Sequence, residues 1–365
     1  MSLKKILIIL IAILIIVLAV LVIYNLFTEK DLESNEKSNE EIENQATNSK
    51  IRPISQEPVI GHTIINEKVK YYLSSNGNIF ESDFNGLNKK QLSSDNLNGL
   101  IKVLWSKNKD KVINIFEKNY LLEKYLYNYN TDSLTLLDPK IRWIAWSLTQ
   151  DKIAYQYYNS QTEDNNISIS NPDGSEWENI LSTRMKNLIV EWPHKDKIAI
   201  RTKPSGLAQS VIYEIDLFDN NLKKIIEETY GLTALWSPLG NKILISETNS
   251  QGKNLKLKLA DLDEQIIKEL TFVTLPEKCV WSQNNKTIFC AVPKDIPISS
   301  VMPDDYYKEE LLFSDEIWRI NLETEDIVKI EEKDDFDAKE LLLSPLEDYL
   351  LFINQKDDLL YSLEL

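Results

Sequence analysis

The stretch Trp236-Ser237-Pro238-Leu239-Gly240-Asn241-Lys242-Ile243-Leu244-Ile245 decides the fold. It reads as an apolar strand ending in Trp, a polar turn of Ser, Pro, Gly and Asn, and a second strand opening at Lys-Ile. The same signature recurs. Trp105-Ser106 leads to Asp110-Lys111-Val112, Trp146-Ser147 to Asp151-Lys152-Ile153, Trp192-Pro193 to Asp196-Lys197-Ile198, and Trp281-Ser282 to Asn285-Lys286-Thr287. A sixth copy, Leu343-Ser344-Pro345, carries Leu where the others carry Trp. The spacings are 41, 46, 44, 45 and 62 residues. Self-similarity at this period marks an array of small units that bury surface only against one another.

Each unit continues in the same way. A third strand alternates, as in Ile167-Ser168-Ile169 or Leu255-Lys256-Leu257-Lys258-Leu259. A turn such as Asn171-Pro172-Asp173-Gly174 follows, and a fourth strand closes the unit, as over 222–226 or 266–270. Four strands in about 45 residues is one blade of a β-propeller. A unit without the Trp precedes these, with its second strand at 69–74, third at 78–84 and fourth at 87–93. Seven second strands result. The last unit ends on its third strand, at 361–365, and Lys50-Ile51-Arg52-Pro53-Ile54-Ser55 resembles the missing fourth. The expectation is an all-β, seven-bladed propeller over 51–365, with 51–55 closing the last blade; six or eight blades are the alternatives. Trp105, Trp146, Trp192, Trp236 and Trp281 read as packing in the wedges between blades, with ligand stacking second.

The pattern Trp-Ser-Pro-x-Gly-x-Lys-Ile, best kept at 236–243, resembles the repeat of TolB-like, or WD40-like (PD40-type), propellers. Related repeats occur in the propeller domains of prolyl oligopeptidase relatives. The resemblance implies an extracytoplasmic protein that binds proteins or peptides through its channel and rim. The chain departs from the pattern in holding only 9 glycines, and in lacking the hydrolase domain of the peptidases.

The first fifty residues are of another kind. Residues 6–27 form an apolar run that as a helix spans about 33 Å, enough for a hydrocarbon core. Lys4 and Lys5 precede the run and Glu29 and Asp31 follow it, which orients the N-terminus to the cytoplasm and the rest outside. The run is longer than a cleaved signal peptide's apolar region. The expectation is a short cytoplasmic segment at 1–5, a single-pass transmembrane helix at 6–27, a disordered acidic tether at 28–50, and a propeller outside the cell membrane. Five residues ahead of the helix leave no room for a cytoplasmic output domain, against a signalling sensor.

Lys and Arg total 41 and Asp and Glu 57, for a net charge of −16. Residues 1–50 hold 5 basic and 7 acidic groups, which leaves −14 on 51–365. Such a surface disfavours nucleic acid and favours a cationic or neutral partner. With two His and two Cys, a His-rich metal site or a four-cysteine zinc site is excluded, and no cofactor is expected. There is no Gly-x-Ser-x-Gly elbow, so no catalytic residue is assigned. His62, ahead of the first blade, and His194, in the turn after Trp192, read as surface residues. If Trp281 pairs with Ile288, Cys279 faces Cys290 across two strands, and both a disulfide and a pair of buried thiols remain open.

The 62-residue spacing locates an enlarged connection at 293–315 in the sixth blade. Its Met302, Asp304, Asp305, Tyr306 and Tyr307 are the candidate binding residues, since long loops often carry function and Tyr and Met suit protein contacts. A solvated excursion is the alternative. The functional expectation is a binding or scaffold module for a protein, peptide or glycan at the cell envelope. An enzyme processing a glycan or peptide with channel carboxylates is the alternative.

Overall fold

The structure is a computed structural model that describes residues 50–94, 97–331 and 335–365. The apolar run at 6–27 and the tether at 28–49 lie outside the described residues. Among those residues, no helix is long and apolar enough to cross a membrane. Ile51–Leu365 forms one compact unit.

Seven four-stranded antiparallel sheets make up this unit, so the blade count is seven. Their first strands run Val59–Ile65, Leu100–Trp105, Ile141–Trp146, Ile189–His194, Ala234–Trp236, Cys279–Trp281 and Ala338–Leu343 in blades 1 to 7. First strands of neighbouring blades approach one another, which places them around the central channel. The last blade has three consecutive strands at its end of the chain, and its outer strand is Ile51–Pro53. Ile51 pairs with Leu363, Arg52 with Ser362 and Pro53 with Tyr361. Pro53 fits there because an outer strand leaves one side of its backbone unpaired.

The repeat motif has a local cause. After each first strand the chain must reverse, and the repeat serine closes the turn. The Ser237 N–H donates to the Lys242 carbonyl at 2.9 Å, and its hydroxyl accepts from the Lys242 N–H at 3.1 Å. Ser106 does the same with Lys111, and Ser344 with Tyr349. The fourth residue after the Trp position takes a positive φ: Gly240 at 71°, Lys109 at 61°, Asn285 at 61° and Glu347 at 57°. Only Gly240 is held to glycine by space, since a Cβ there would stand 2.4 Å from the Pro193 carbonyl oxygen. This explains how the repeat runs on few glycines.

Packing between blades supplies the core. Among the described residues, seven apolar clusters each straddle one pair of neighbouring blades. Each repeat tryptophan sits in the cluster shared with the preceding blade. Trp192 and Trp281 are buried, and the Trp146 Nε1 donates to the Leu104 carbonyl of that blade at 2.9 Å. An eighth cluster lies under the enlarged loop of blade 6 and joins Leu255, Leu275, Met302, Tyr306 and Phe313.

Two expectations are corrected. Blade 1 has a full first strand at Val59–Ile65, which its sequence conceals because a bulge between Ile60 and His62 breaks the alternation. His62 therefore lies on a channel strand and is buried, not at the surface. The outer strand of blade 1, expected over 87–93, pairs only at Lys90–Gln91.

Two covalent and ionic ties hold blade 6. Cys279 pairs with Cys290 in register, and their sulfurs are joined. By loop-closure entropy the bond contributes about 3 kcal/mol. The second tie is a fully buried triad: Lys278 Nζ lies 2.8 Å from Asp315 Oδ2 and 2.5 Å from Asp337 Oδ1, and donates to the Ala338 carbonyl at 3.0 Å. The Phe313 and Ala338 N–H groups donate to the two carboxylates. The triad thus bonds the link into blade 6, the end of its loop and the start of blade 7.

Without reductant, native mass spectrometry after alkylation should show no labelled thiol, and with reductant two, together with a lower Tm. Lys278→Met leaves two buried carboxylates facing each other and should cost about 3–5 kcal/mol in denaturant unfolding. Burial pushes the Asp315 carboxyl up to about 6, against the pull of Lys278. A carboxyl raised above its ordinary 3.8 holds its proton more tightly folded than unfolded. Its contribution is fully present below that ordinary value and is lost as pH rises through about 6. Unfolding free energies measured against pH should show this fall in the wild type and not in Asp315→Asn.

Candidate binding site at the channel mouth

In each blade the links to the next blade and the turns between second and third strands share one face. The enlarged loop of blade 6 is on that face, and its anchoring shows what it does. The Asp304 carboxylate accepts from the Ser205 hydroxyl at 2.9 Å and the Gly206 N–H at 2.6 Å, both in the corresponding turn of blade 4. The Met302 N–H donates to the Gly252 carbonyl of blade 5 at 2.9 Å. Gly206 is required by this contact, since a Cβ there would lie 2.3 Å from the Met302 oxygen. Asp305 accepts from the Val301 N–H inside the loop. Met302 and Tyr306 are buried. Of the five candidate residues, Asp304 and Met302 bond the loop to blades 4 and 5, Asp305 closes it internally and Tyr306 is buried beneath it. Tyr307 alone turns its hydroxyl to the channel side, where it donates to Glu277.

The channel mouth itself is built by residues on or beside the first strands. In five blades that strand carries a bulge. In blades 3 and 7 the bulge holds Trp143 at φ 49° and Glu340 at φ 53°. Side chains larger than glycine rarely occupy this region, at a cost on the order of 1–2 kcal/mol each. Trp143 is 36% exposed, although it lies in the middle of an inner strand. Lys203, from the turn of blade 4, stands over its ring at 5.4 Å. Beside Trp143, the Arg142 guanidinium lies 4.7 Å from the centre of the Tyr158 ring, and Lys186 lies 5.3 Å from the same centre. Ile101 and Lys102 of blade 2 are exposed on the adjoining strand.

Carboxylates stand along the mouth from blade 4 to blade 7. Arg201 is 8% exposed and its Nε donates to Glu191 at 3.2 Å, while its Nη1 has no partner among the described residues. Burial pulls this guanidinium down, but Glu191, Glu277 and Tyr307 outweigh it and hold the charge. Trp236 Nε1 donates to the same Glu191 oxygen, and Thr233 donates to Glu277 at 2.9 Å. Glu340 has its Oε2 3.9 Å from His62 Nδ1. Water reaches 57% of the Glu340 side chain, yet the enclosing wall raises its carboxyl above the usual range. Burial lowers His62 to about 4, so the imidazole is neutral at physiological pH. Among the described residues, no group of three or more His, Cys, Asp or Glu is placed to hold a metal ion.

The sequence carried a signal for this wall that the motif reading passes over. The residue three before the repeat Trp or Leu is Lys102, Trp143, Thr233, Lys278 and Glu340 in blades 2, 3, 5, 6 and 7. Polar or outsized residues at one place on otherwise apolar strands mark a face that meets no neighbouring blade. Lys102, Trp143 and Glu340 are exposed at the channel mouth, Thr233 is buried and bonded to Glu277, and Lys278 is turned into the triad.

Asp304→Ala should free the strap. Two hydrogen bonds to a carboxylate are lost, worth about 1.5–3 kcal/mol each at most, and limited proteolysis should cut within 297–311 of the variant before it cuts the wild type.

No protein-family model matches the chain, and no curated protein does. Solved structures do. Oligogalacturonate lyase from Vibrio parahaemolyticus is 11% identical, with a TM-score of 0.61 over 86% of this chain and 93% of that one. The β-propeller domain of the Trilobed protease from Pyrococcus furiosus is 13% identical, with a TM-score of 0.56 over 84% and 95%. TolB from Acinetobacter baumannii is 13% identical, with a TM-score of 0.48 over 72% of this chain, which spans 61% of that structure. The chain is a seven-bladed β-propeller, and its likeness to the lyase and to the protease propeller domain is, at these identities, one of fold.

Proposed function

We propose that this protein is a binding module of the cell envelope, tethered by residues 6–27 with its propeller outside the membrane, and that it takes a protein or peptide at the channel mouth. The observation that carries the reading is Trp143: a large aromatic side chain held at positive φ and left partly exposed in the middle of an inner strand. A fold spends strain of this kind where a side chain must be presented, not where it only packs. Cations with no carboxylate partner among the described residues stand beside it, Lys203 over its ring, and the ring of loops gives it a rigid frame. A photo-crosslinking amino acid placed at Ile101, at the mouth, and at Phe218, in a turn on the opposite face, tests the reading in intact cells. Adducts should form at Ile101 and be lost with Trp143→Ala. Adducts only at Phe218 would overturn it. Protease added outside intact cells should degrade the propeller, and protection there would overturn the orientation.

A second reading, an enzyme processing a glycan or peptide with channel carboxylates, draws on Glu340, whose raised carboxyl holds a proton more readily than a surface glutamate does. Turnover of a glycan or peptide polymer that disappears in Glu340→Gln would favour it.

A further inference from the structure

The mouth is electrically divided, although the whole propeller is acidic. On the side of blades 2 to 4 stand Lys102, Lys124, Arg142, Lys186 and Lys203. None of the five forms an ion pair among the described residues. Lys124 is buried and is pulled down first by that burial and then by Arg142, with only Asp138 opposing. Cations are thus crowded against cations, an arrangement that costs free energy in the empty protein and is relieved by an incoming anion. The carboxylates of the mouth have other partners: Glu191 accepts from Arg201 and Trp236, Glu277 from Thr233 and Tyr307, and Glu340 stands beside His62, close enough to Lys102 for their charges to interact. The net charge of −14 does not cancel the arc, because charges separated by more than about 8 Å are screened at physiological salt.

Apolar surface adjoins the cations. Ile101 is exposed on the same strand as Lys102. The hairpin of blade 2 turns at Asn119-Tyr120, both at positive φ, beyond the start of the first strand. It lifts Tyr120, 96% exposed, with Leu121 and Leu122 above the rim.

We propose that the blade 2 to blade 4 side of the mouth binds an acidic peptide segment, its carboxylates on Lys102, Arg142 and Lys203 and an adjacent aliphatic or aromatic side chain against Trp143 and Ile101. The proposal rests on the binding-module reading and gives it a ligand class. Lys102 and Arg142 sit on inner strands, recessed in a channel, where a flat bilayer surface does not reach. The leucines and isoleucine at the rim offer surface that peptide side chains bury and sugar hydroxyls do not. Guanidinium and ammonium groups facing a carboxylate form the stronger, charge-assisted class of hydrogen bond. The sequence-wide charge pointed to a cationic or neutral partner; the local arc reverses that expectation at this site.

The test uses the full chain in detergent and a fluorescein-labelled peptide of alternating aspartate and leucine, read by anisotropy. The matching asparagine-leucine peptide, an unlabelled oligouronate competitor and phosphatidylglycerol vesicles form the other arms. The acidic peptide should bind at least about tenfold more tightly than its amide counterpart, and Arg142→Gln or Lys203→Gln should each remove most of that preference. Lys223→Gln, on the outer strand of blade 4, should leave it unchanged, and added salt should weaken it. Circular dichroism confirms that each variant is folded. If the amide peptide binds equally well and both are lost with Trp143→Ala, the acidic ligand class is overturned while the binding module stands. If no peptide responds to any substitution at the mouth, both fall. Binding of the oligouronate or the vesicles, but not of the peptide, with the same dependence on Arg142 overturns the peptide assignment.

Discussion

A ring of blades has no edge on which to begin, so each sheet must be complete and each wedge filled before any of them is protected. The segment 51–55 is where this constraint is met. Ile51 joins the apolar cluster between blades 6 and 7, and Ile54 the cluster between blades 7 and 1. The Ser55 hydroxyl accepts from the Leu360 N–H at 2.9 Å, and the Ile54 N–H donates to the Leu360 carbonyl at 2.7 Å. One short segment thus completes a sheet and seals the interfaces on both sides of it. Because it comes from the other end of the propeller sequence, the first and last blades are bound into a single cooperative unit.

The loop face is reinforced unevenly. On the side of blades 4 to 7, the strap of blade 6, its bonds to Ser205, Gly206 and Gly252, and the Lys278 triad tie four blades together. On the side of blades 2 to 4, the links are short and the side chains at the mouth include unpaired cations and exposed apolar groups. A rigid wall opposite an unsatisfied one suits a site that receives a ligand without rearranging its frame. The enlarged loop, the irregular feature of the sequence, spends Asp304 and Met302 on bonds to blades 4 and 5, while Ile298, Tyr307 and Leu312 stay exposed on it.

The repeat was legible because it is local. A Trp followed by a closing Ser, a left-handed residue and Lys-Ile is a hairpin whose hydrogen bonds lie within six residues, and such patterns survive in a single sequence. The facing of Cys279 and Cys290 followed from the same short-range register. The first strand of blade 1 was not legible, since the bulge at Gly61 shifts the alternation by which a strand is recognised. His62 was misplaced with it.

By itself, then, the sequence determined the blade, its repetition and the means of closing the ring, because period, turn chemistry and alternation are properties of neighbouring residues. The tertiary structure alone decided that Lys203 meets Trp143, Arg201 faces Glu277 and Glu340 stands beside His62. Each pair is separated by tens of positions or more and comes together only because seven blades converge on one axis. It also decided where charges of each sign stand at the mouth, since −14 is an average over a surface while any one position feels mainly what stands within a screening length of it.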